Sequence, residues 1–235
     1  MFLPTSDPRI QVHGQLHISE TPRMIGNAEP LVVLSHPWGP LGGDAFANNV
    51  IDSLFGALQA AGFNVFRRYN MRGVGRSGGA TSWTGIPESN DLVELCRHLL
   101  SLDLRGSVSS GRLEQKIILV GYSFGSLISA RALALDPSLY HGIIMISMPY
   151  QVMFFLTCFH SGRYTEAIES STVPKLFVMG SRDTFMVPND KSYNKWLDRK
   201  VENAQTVLVQ GPDHFWSACE DHLCKVVIDW LSKLL

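Results

Sequence analysis

The chain has 235 residues, 45% of them hydrophobic and 17% charged, with 20 Lys and Arg against 21 Asp and Glu for a net charge of −1. That length suits one large domain or two small ones, and the composition excludes a disordered chain. With no basic block or stripe, nucleic acid is not expected as a partner.

The first residues, Met1 to Asp7, lack the basic and apolar regions of a secretion signal. Cys96, Cys158, Cys219 and Cys224 show neither metal-ligand spacing nor a disulfide rhythm. A reducing, cytoplasmic setting with no metal and no cofactor is therefore expected. Ile10–Ile18 alternates like an edge strand, and Leu31–Ser35 is a short buried run. Ala47, Val50, Ile51, Leu54, Phe55, Leu58 and Ala61 fall at helical spacing, with Gly62 as the stop. Phe63–Tyr69 reads as a strand, the stripe after Pro87 as a helix, and 105–112 as a loop. Lys116–Val120 predicts a strand and 124–135 a helix ending before Pro137. Ile143–Ser147, Lys175–Gly180 and Gln205–Val209 predict further strands, with helices over Pro188–Lys200 and Trp216–Leu235. The uncharged run 143–159 is interrupted by Pro149 and Gln151, so it reads as a strand followed by an apolar helix, without stable membrane insertion.

Strands alternating with helices imply crossovers, hence a mostly parallel central sheet flanked by helices. The expectation is one α/β domain over 1–235, with a minimal, lid-like insertion at about 148–172. In such sheets ligands bind beyond the carboxyl ends of the strands.

There the sequence carries chemistry. Gly121-Tyr122-Ser123-Phe124-Gly125 is a G-x-S-x-G placed between an apolar strand and a good helix. A serine on a sharp strand-to-helix turn is strained, and flanking glycines avoid the resulting clash. Gly75-Arg76-Ser77-Gly78-Gly79 matches the same pattern, but neither a strand nor a helix flanks it, so Ser123 is the candidate nucleophile. A serine hydroxyl needs a base, and the base needs an orienting acid. Asp183 follows the strand Lys175–Gly180 and His214 follows Gln205–Val209, in the order nucleophile, acid, base. Asp190 and Glu220 are the runner-up acids, and His222 and His160 the runner-up bases.

An oxyanion hole needs convergent backbone N–H donors. Phe124, after the nucleophile, is one candidate. In the loop His36-Pro37-Trp38-Gly39-Pro40-Leu41-Gly42-Gly43 the prolines have no N–H, which leaves Trp38 first and Gly39 second. Met148, Tyr150, Phe154 and Phe215 are candidates to line an apolar or aromatic acyl pocket, with plain core as the equal alternative. Arg72, Arg76 and Arg163 are expected to be solvated surface cations, with contact to an anionic substrate as the lesser alternative.

Taken together, the His-Pro…Gly-Gly loop, Asn70-Met71-Arg72-Gly73-Val74-Gly75-Arg76-Ser77, the turn at 121–125 and Asp213-His214-Phe215 resemble the α/β-hydrolase superfamily over nearly the whole chain. More narrowly, the chain is similar to small, lid-poor members of the dienelactone-hydrolase and prolyl-oligopeptidase-like branch. The resemblance implies that the Arg-Gly-x-Gly segment borders the site structurally and that Ser123, in place of the cysteine of dienelactone hydrolases, serves ordinary ester chemistry. The absence of a propeller domain argues against peptidase activity. The implied function is a serine esterase acting on a small-molecule ester through an acyl-enzyme. A thioesterase or acyltransferase using a carrier or coenzyme A thioester is an alternative, and so is a non-catalytic binding protein. The sequence does not specify an oligomeric state.

Overall fold

The computed structural model describes every residue except 25–27, 42, 68, 103–113, 186–190 and 235. A seven-stranded sheet organises the described residues. Its strands are β3 (Gln15–His17), β4 (Ala28–Ser35), β5 (Asn64–Arg67), β6 (Glu114–Tyr122), β7 (Tyr140–Ile146), β8 (Lys175–Gly180) and β9 (Ala204–Val209). Their spatial order is β3-β5-β4-β6-β7-β8-β9. Only the β3–β5 pairing is antiparallel; the others are parallel. The carboxyl ends of β4 to β9 therefore share one edge of the sheet.

The central strands read as continuous apolar runs because both of their faces are covered. Leu31, Val33, Leu119 and Met145 belong to one core. The alternate residues Val32, Leu34, Val120 and Ile144 belong to the other. Helices α2 (Ile86–Ser101), α3 (Phe124–Leu135) and α6 (Lys191–Lys200) contribute to the first core. Helices α1 (Asn49–Ala60) and α7 (Glu220–Leu234) contribute to the second. Asn48 caps α1 by accepting the Ile51 N–H at 3.0 Å, and Gly62, at φ 83°, supplies the left-handed turn that ends it.

The alternating segment at 10–18 forms two strands, not one. The first, β2 (Gln11–His13), pairs with β1 (Phe2–Pro4) outside the main sheet. The chain then passes through Gly14 into β3, which pairs with β5 at the sheet edge. A Cβ on Gly14 would overlap the Phe66 ring, so the crossing requires glycine. The last helix starts at Glu220 rather than Trp216, because Trp216 and Ala218 both sit at φ 60° and cannot continue a right-handed helix. The predicted loop at 105–112 lies outside the described residues, as do positions 188–190 of the predicted helix ahead of α6.

Between β7 and β8 lie two short helices, α4 (Met153–Leu156) and α5 (Gly162–Glu169). Tyr164, Ala167 and Ile168 of α5 are buried, and the Tyr164 hydroxyl donates to the Thr84 carbonyl. One face of α5 is thus built into the core.

Candidate active site

Ser123 stands between β6 and α3 at φ 54°, ψ −121°, a conformation that L-residues adopt only when the surroundings impose it. Two glycines make that possible. A Cβ on Gly121 would run into the backbone of Gly125 and Ser126, and one on Gly125 into the Ser35 and His36 carbonyls. The Ser123 N–H is held by the Ile146 carbonyl of β7 at 2.9 Å, and the Ser126 hydroxyl donates to the Ser123 carbonyl at 2.5 Å. The turn therefore presents the hydroxyl at the carboxyl edge of the sheet and at the positive end of α3.

The structure brings three of the predicted residues together. His214 Nε2 lies 2.9 Å from Ser123 Oγ, and His214 Nδ1 lies 3.0 and 2.9 Å from the two Asp183 oxygens. Asp183 is an acceptor only, so Nδ1 carries the proton and Nε2 is free to accept from the serine hydroxyl. Asp183 and His214 are buried, and Ser123 is 9% exposed. Asp183 Oδ1 also accepts the Phe185 N–H at 3.0 Å, and the Phe185 ring lies 4.5 Å from the imidazole.

Several further side chains hold this arrangement. The buried Tyr122 hydroxyl donates to the His214 carbonyl at 2.7 Å, and burial pushes that phenol well above its usual pKa. Trp216, fully buried, donates its indole N–H to Ser147 Oγ at 2.9 Å. Asn49 Nδ2 donates to the Phe215 carbonyl at 3.0 Å and to Glu220 at 2.6 Å. These bonds fasten the His214 loop to β6, to the end of β7 and to α1. Each joins residues far apart in the chain, so no local motif signals them.

The loop after β4 is clamped by His36, which is completely buried. Its Nδ1 bonds the Pro37 carbonyl at 2.5 Å and its Nε2 accepts the Met71 N–H at 2.9 Å. That pair of bonds demands a neutral ring protonated on Nδ1, and burial lowers the pKa to about 4. The Trp38 carbonyl accepts the Leu41 and Gly43 N–H groups at 3.1 and 3.0 Å, which closes the turn. Gly39 packs where a Cβ would overlap Val74. Trp38 lies beside Phe124, with ring centroids 6.0 Å apart, so the two candidate oxyanion donors belong to neighbouring residues. Phe124 is the first residue of α3, where N–H groups have no partner within the helix.

The remaining candidates are dispersed. Ser77 is a structural bolt: its hydroxyl donates to the Asn70 carbonyl at 2.5 Å and accepts the His13 N–H at 2.9 Å. Glu220 opens α7, His222 is exposed on that helix, and His160 Nδ1 bonds local carbonyls. Asp190 lies outside the described residues. Met148 is buried in the core, and Tyr150 stacks on Trp196 at 5.2 Å. Phe154 is 47% exposed, while Phe215 is exposed with its ring edge-on to His214 at 5.8 Å. Arg72 departs from expectation. It is no solvated cation but donates twice to Asp91, at 2.7 and 2.6 Å, while Asp91 also accepts the Ser6 hydroxyl at 2.6 Å. Arg76 lies over the Phe2 ring, and Arg163 is exposed.

Residues 43–154 match the family model described as serine aminopeptidase, S33, a stretch that contains Ser123 but neither Asp183 nor His214. No curated protein matches. Among solved structures, the chain is similar to an α/β serine hydrolase homologue from Coxiella burnetii at 22% identity, covering 98% of this chain and 97% of that one, with a TM-score of 0.73. A Xanthomonas campestris serine hydrolase described as having no lid is similar at 21% identity, covering 100% and 94%, TM-score 0.75. Est1E from Butyrivibrio proteoclasticus, solved with ferulic acid bound, is similar at 16% identity, covering 100% and 98%, TM-score 0.80. The chain has the α/β-hydrolase fold, with a mostly parallel sheet flanked by helices. Among the described residues, no helix is long and apolar enough to cross a membrane.

Proposed function

We propose that the protein is a serine hydrolase that cleaves carboxylic esters through an acyl-enzyme. The observation that carries this reading is the hydrogen-bonded chain Ser123–His214–Asp183, built on a strained turn and buried at the carboxyl edge of the sheet. In this mechanism Ser123 Oγ attacks the ester carbonyl carbon while His214 Nε2 takes its proton. Asp183 holds the Nδ1 tautomer and stabilises the imidazolium. The N–H groups of Phe124 and Trp38 receive the oxyanion, each donor of this kind contributing about 3–4 kcal/mol. Collapse breaks the bond to the alcohol, which leaves with the His214 proton. Water then attacks the acyl carbon by the reverse sequence, releasing the acid and the free serine. Besides the ester and the attacking water, the groups used are side chains and backbone of this chain.

Apolar surroundings favour an apolar or aromatic acyl group: Trp38, Phe124, Phe185 and Phe215 adjoin the candidate site. The solved relative with bound ferulic acid supports the same preference. Four unbridged cysteines suit a reducing compartment such as the cytoplasm. The test is turnover of p-nitrophenyl esters of acetate, butyrate, decanoate and a cinnamate, beside matched thioesters and an aminoacyl anilide. Faster oxyester turnover supports the reading. Preference for the thioester moves the function to thioester chemistry, and preference for the anilide moves it to the peptidase activity in the family model's name.

A further inference from the structure

Three phenylalanines form a knuckle within the insertion between β7 and β8. Phe154 and Phe155 are in α4, and Phe159 follows it. Their rings lie 4.8 to 6.5 Å apart, yet they are 47%, 70% and 65% exposed. The knuckle is built rather than loose. Its base is the buried Met153, whose carbonyl accepts the buried Thr157 hydroxyl at 2.7 Å. Cys158 and Phe159 take left-handed conformations, φ 49° and 69°, and the Phe159 N–H closes onto the Phe154 carbonyl at 2.8 Å. Non-glycine residues avoid that region, so the chain bends against its preference to set a third aromatic ring beside two others in solvent.

The surroundings indicate what covers the knuckle. Past the buried strand β7 and its turn, from Tyr150 to Gly162, the sequence has no Lys, Arg, Asp or Glu. The exposed Arg163 follows immediately. Protein interfaces ring an apolar centre with polar and charged residues that pair with the partner. A lipid surface asks only for apolar rings to insert, with at most a cation at headgroup level. The knuckle follows the carboxyl end of β7, the edge of the sheet that also carries Ser123. Further exposed apolar side chains stand on other loops of that edge: Leu41 after β4, Trp83 after β5 and Phe215 after β9.

We propose that Phe154, Phe155 and Phe159 dock the protein on an uncharged lipid–water interface, from which the neighbouring site draws a water-insoluble ester. The second half of that statement rests on the serine-hydrolase reading, whereas docking does not. Two phenylalanines lost from a buried contact lower the partition by about 10-fold or more.

The test is flotation of the purified protein with phosphatidylcholine vesicles at low and high salt. The wild type is expected to float with little salt dependence. The Phe155→Ser/Phe159→Ser variant is expected to lose at least 10-fold in vesicle partition while keeping its melting temperature, its fluorophosphonate labelling rate and its turnover of a water-soluble short-chain ester. Phe155→Trp, which keeps an aromatic ring, is expected to float like the wild type. A wild type that stays in solution, or a serine variant that floats equally, overturns the proposal. So does a dimer in sedimentation that the serine variant dissociates, because the knuckle is then an interface between copies. Flotation without fluorophosphonate labelling leaves docking standing and removes only the hydrolase reading.

Discussion

At Ser123 a strained backbone, a hydroxyl and the start of α3 coincide, and the glycines on either side permit it. Gly125→Ala directs a methyl group at the Ser35 and His36 carbonyls, so a loss of about 2–4 kcal/mol in denaturant unfolding is expected, together with loss of fluorophosphonate labelling. The Tyr122 hydroxyl acts one step further out. Tyr122→Phe leaves the buried His214 carbonyl without its donor, costing about 1–2 kcal/mol, and is expected to lower kcat more than it changes KM. Equal loss in both parameters, or none, would place the phenol outside the positioning of His214. The meeting of Ser123, Asp183 and His214 was legible as a candidate because each stands just past the carboxyl end of an apolar run, in the order this fold requires. Tyr122 was not, although it lies inside the same five-residue motif. Its partner is 92 residues away, and nothing local marks a phenol as donor to a distant carbonyl.

Among the elements, the long periodic ones were legible and the short paired ones were not. Helix α3 and strand β8 coincide with the windows read from apolar spacing, since burial on both sides of the sheet leaves a strong pattern. Strand β1 has three residues and exists through its pairing with β2, Phe2 opposite His13. A window that short carries no period. Arg72 shows the same limit, because Asp91 on α2 makes it a buried anchor that joins the loop after β5 to Ser6. Removing one partner of such a pair leaves a desolvated charge. Asp91→Ala is expected to destabilise the protein by about 3–5 kcal/mol, read as a lowered melting temperature. A variant that melts with the wild type would show the anchor to be dispensable.

For the whole molecule, two cores on opposite faces of one sheet hold loops of unlike sequence at a common edge, and the stability of that edge depends on pH through His36. Its pKa is about 4 in the fold against 6.5 when free, so between those values the unfolded chain binds more protons than the folded one. Stability therefore rises with pH across that window and is lost as pH falls from 6.5 towards 4, by up to about 3 kcal/mol. His36→Gln is expected to flatten this dependence in urea titrations between pH 4 and 7, and an unchanged slope would assign it to other groups. The His36 clamp also fixes the loop that bears Trp38, so fold stability and site geometry meet in one buried imidazole. The most direct test of the central claim is the rate and site of fluorophosphonate labelling, read by mass spectrometry of the intact and digested protein. The account predicts one adduct, on Ser123, absent in Ser123→Ala and slowed by roughly four orders of magnitude in Asp183→Asn. Labelling that persists in Ser123→Ala, or a wild type that does not react, would contradict it.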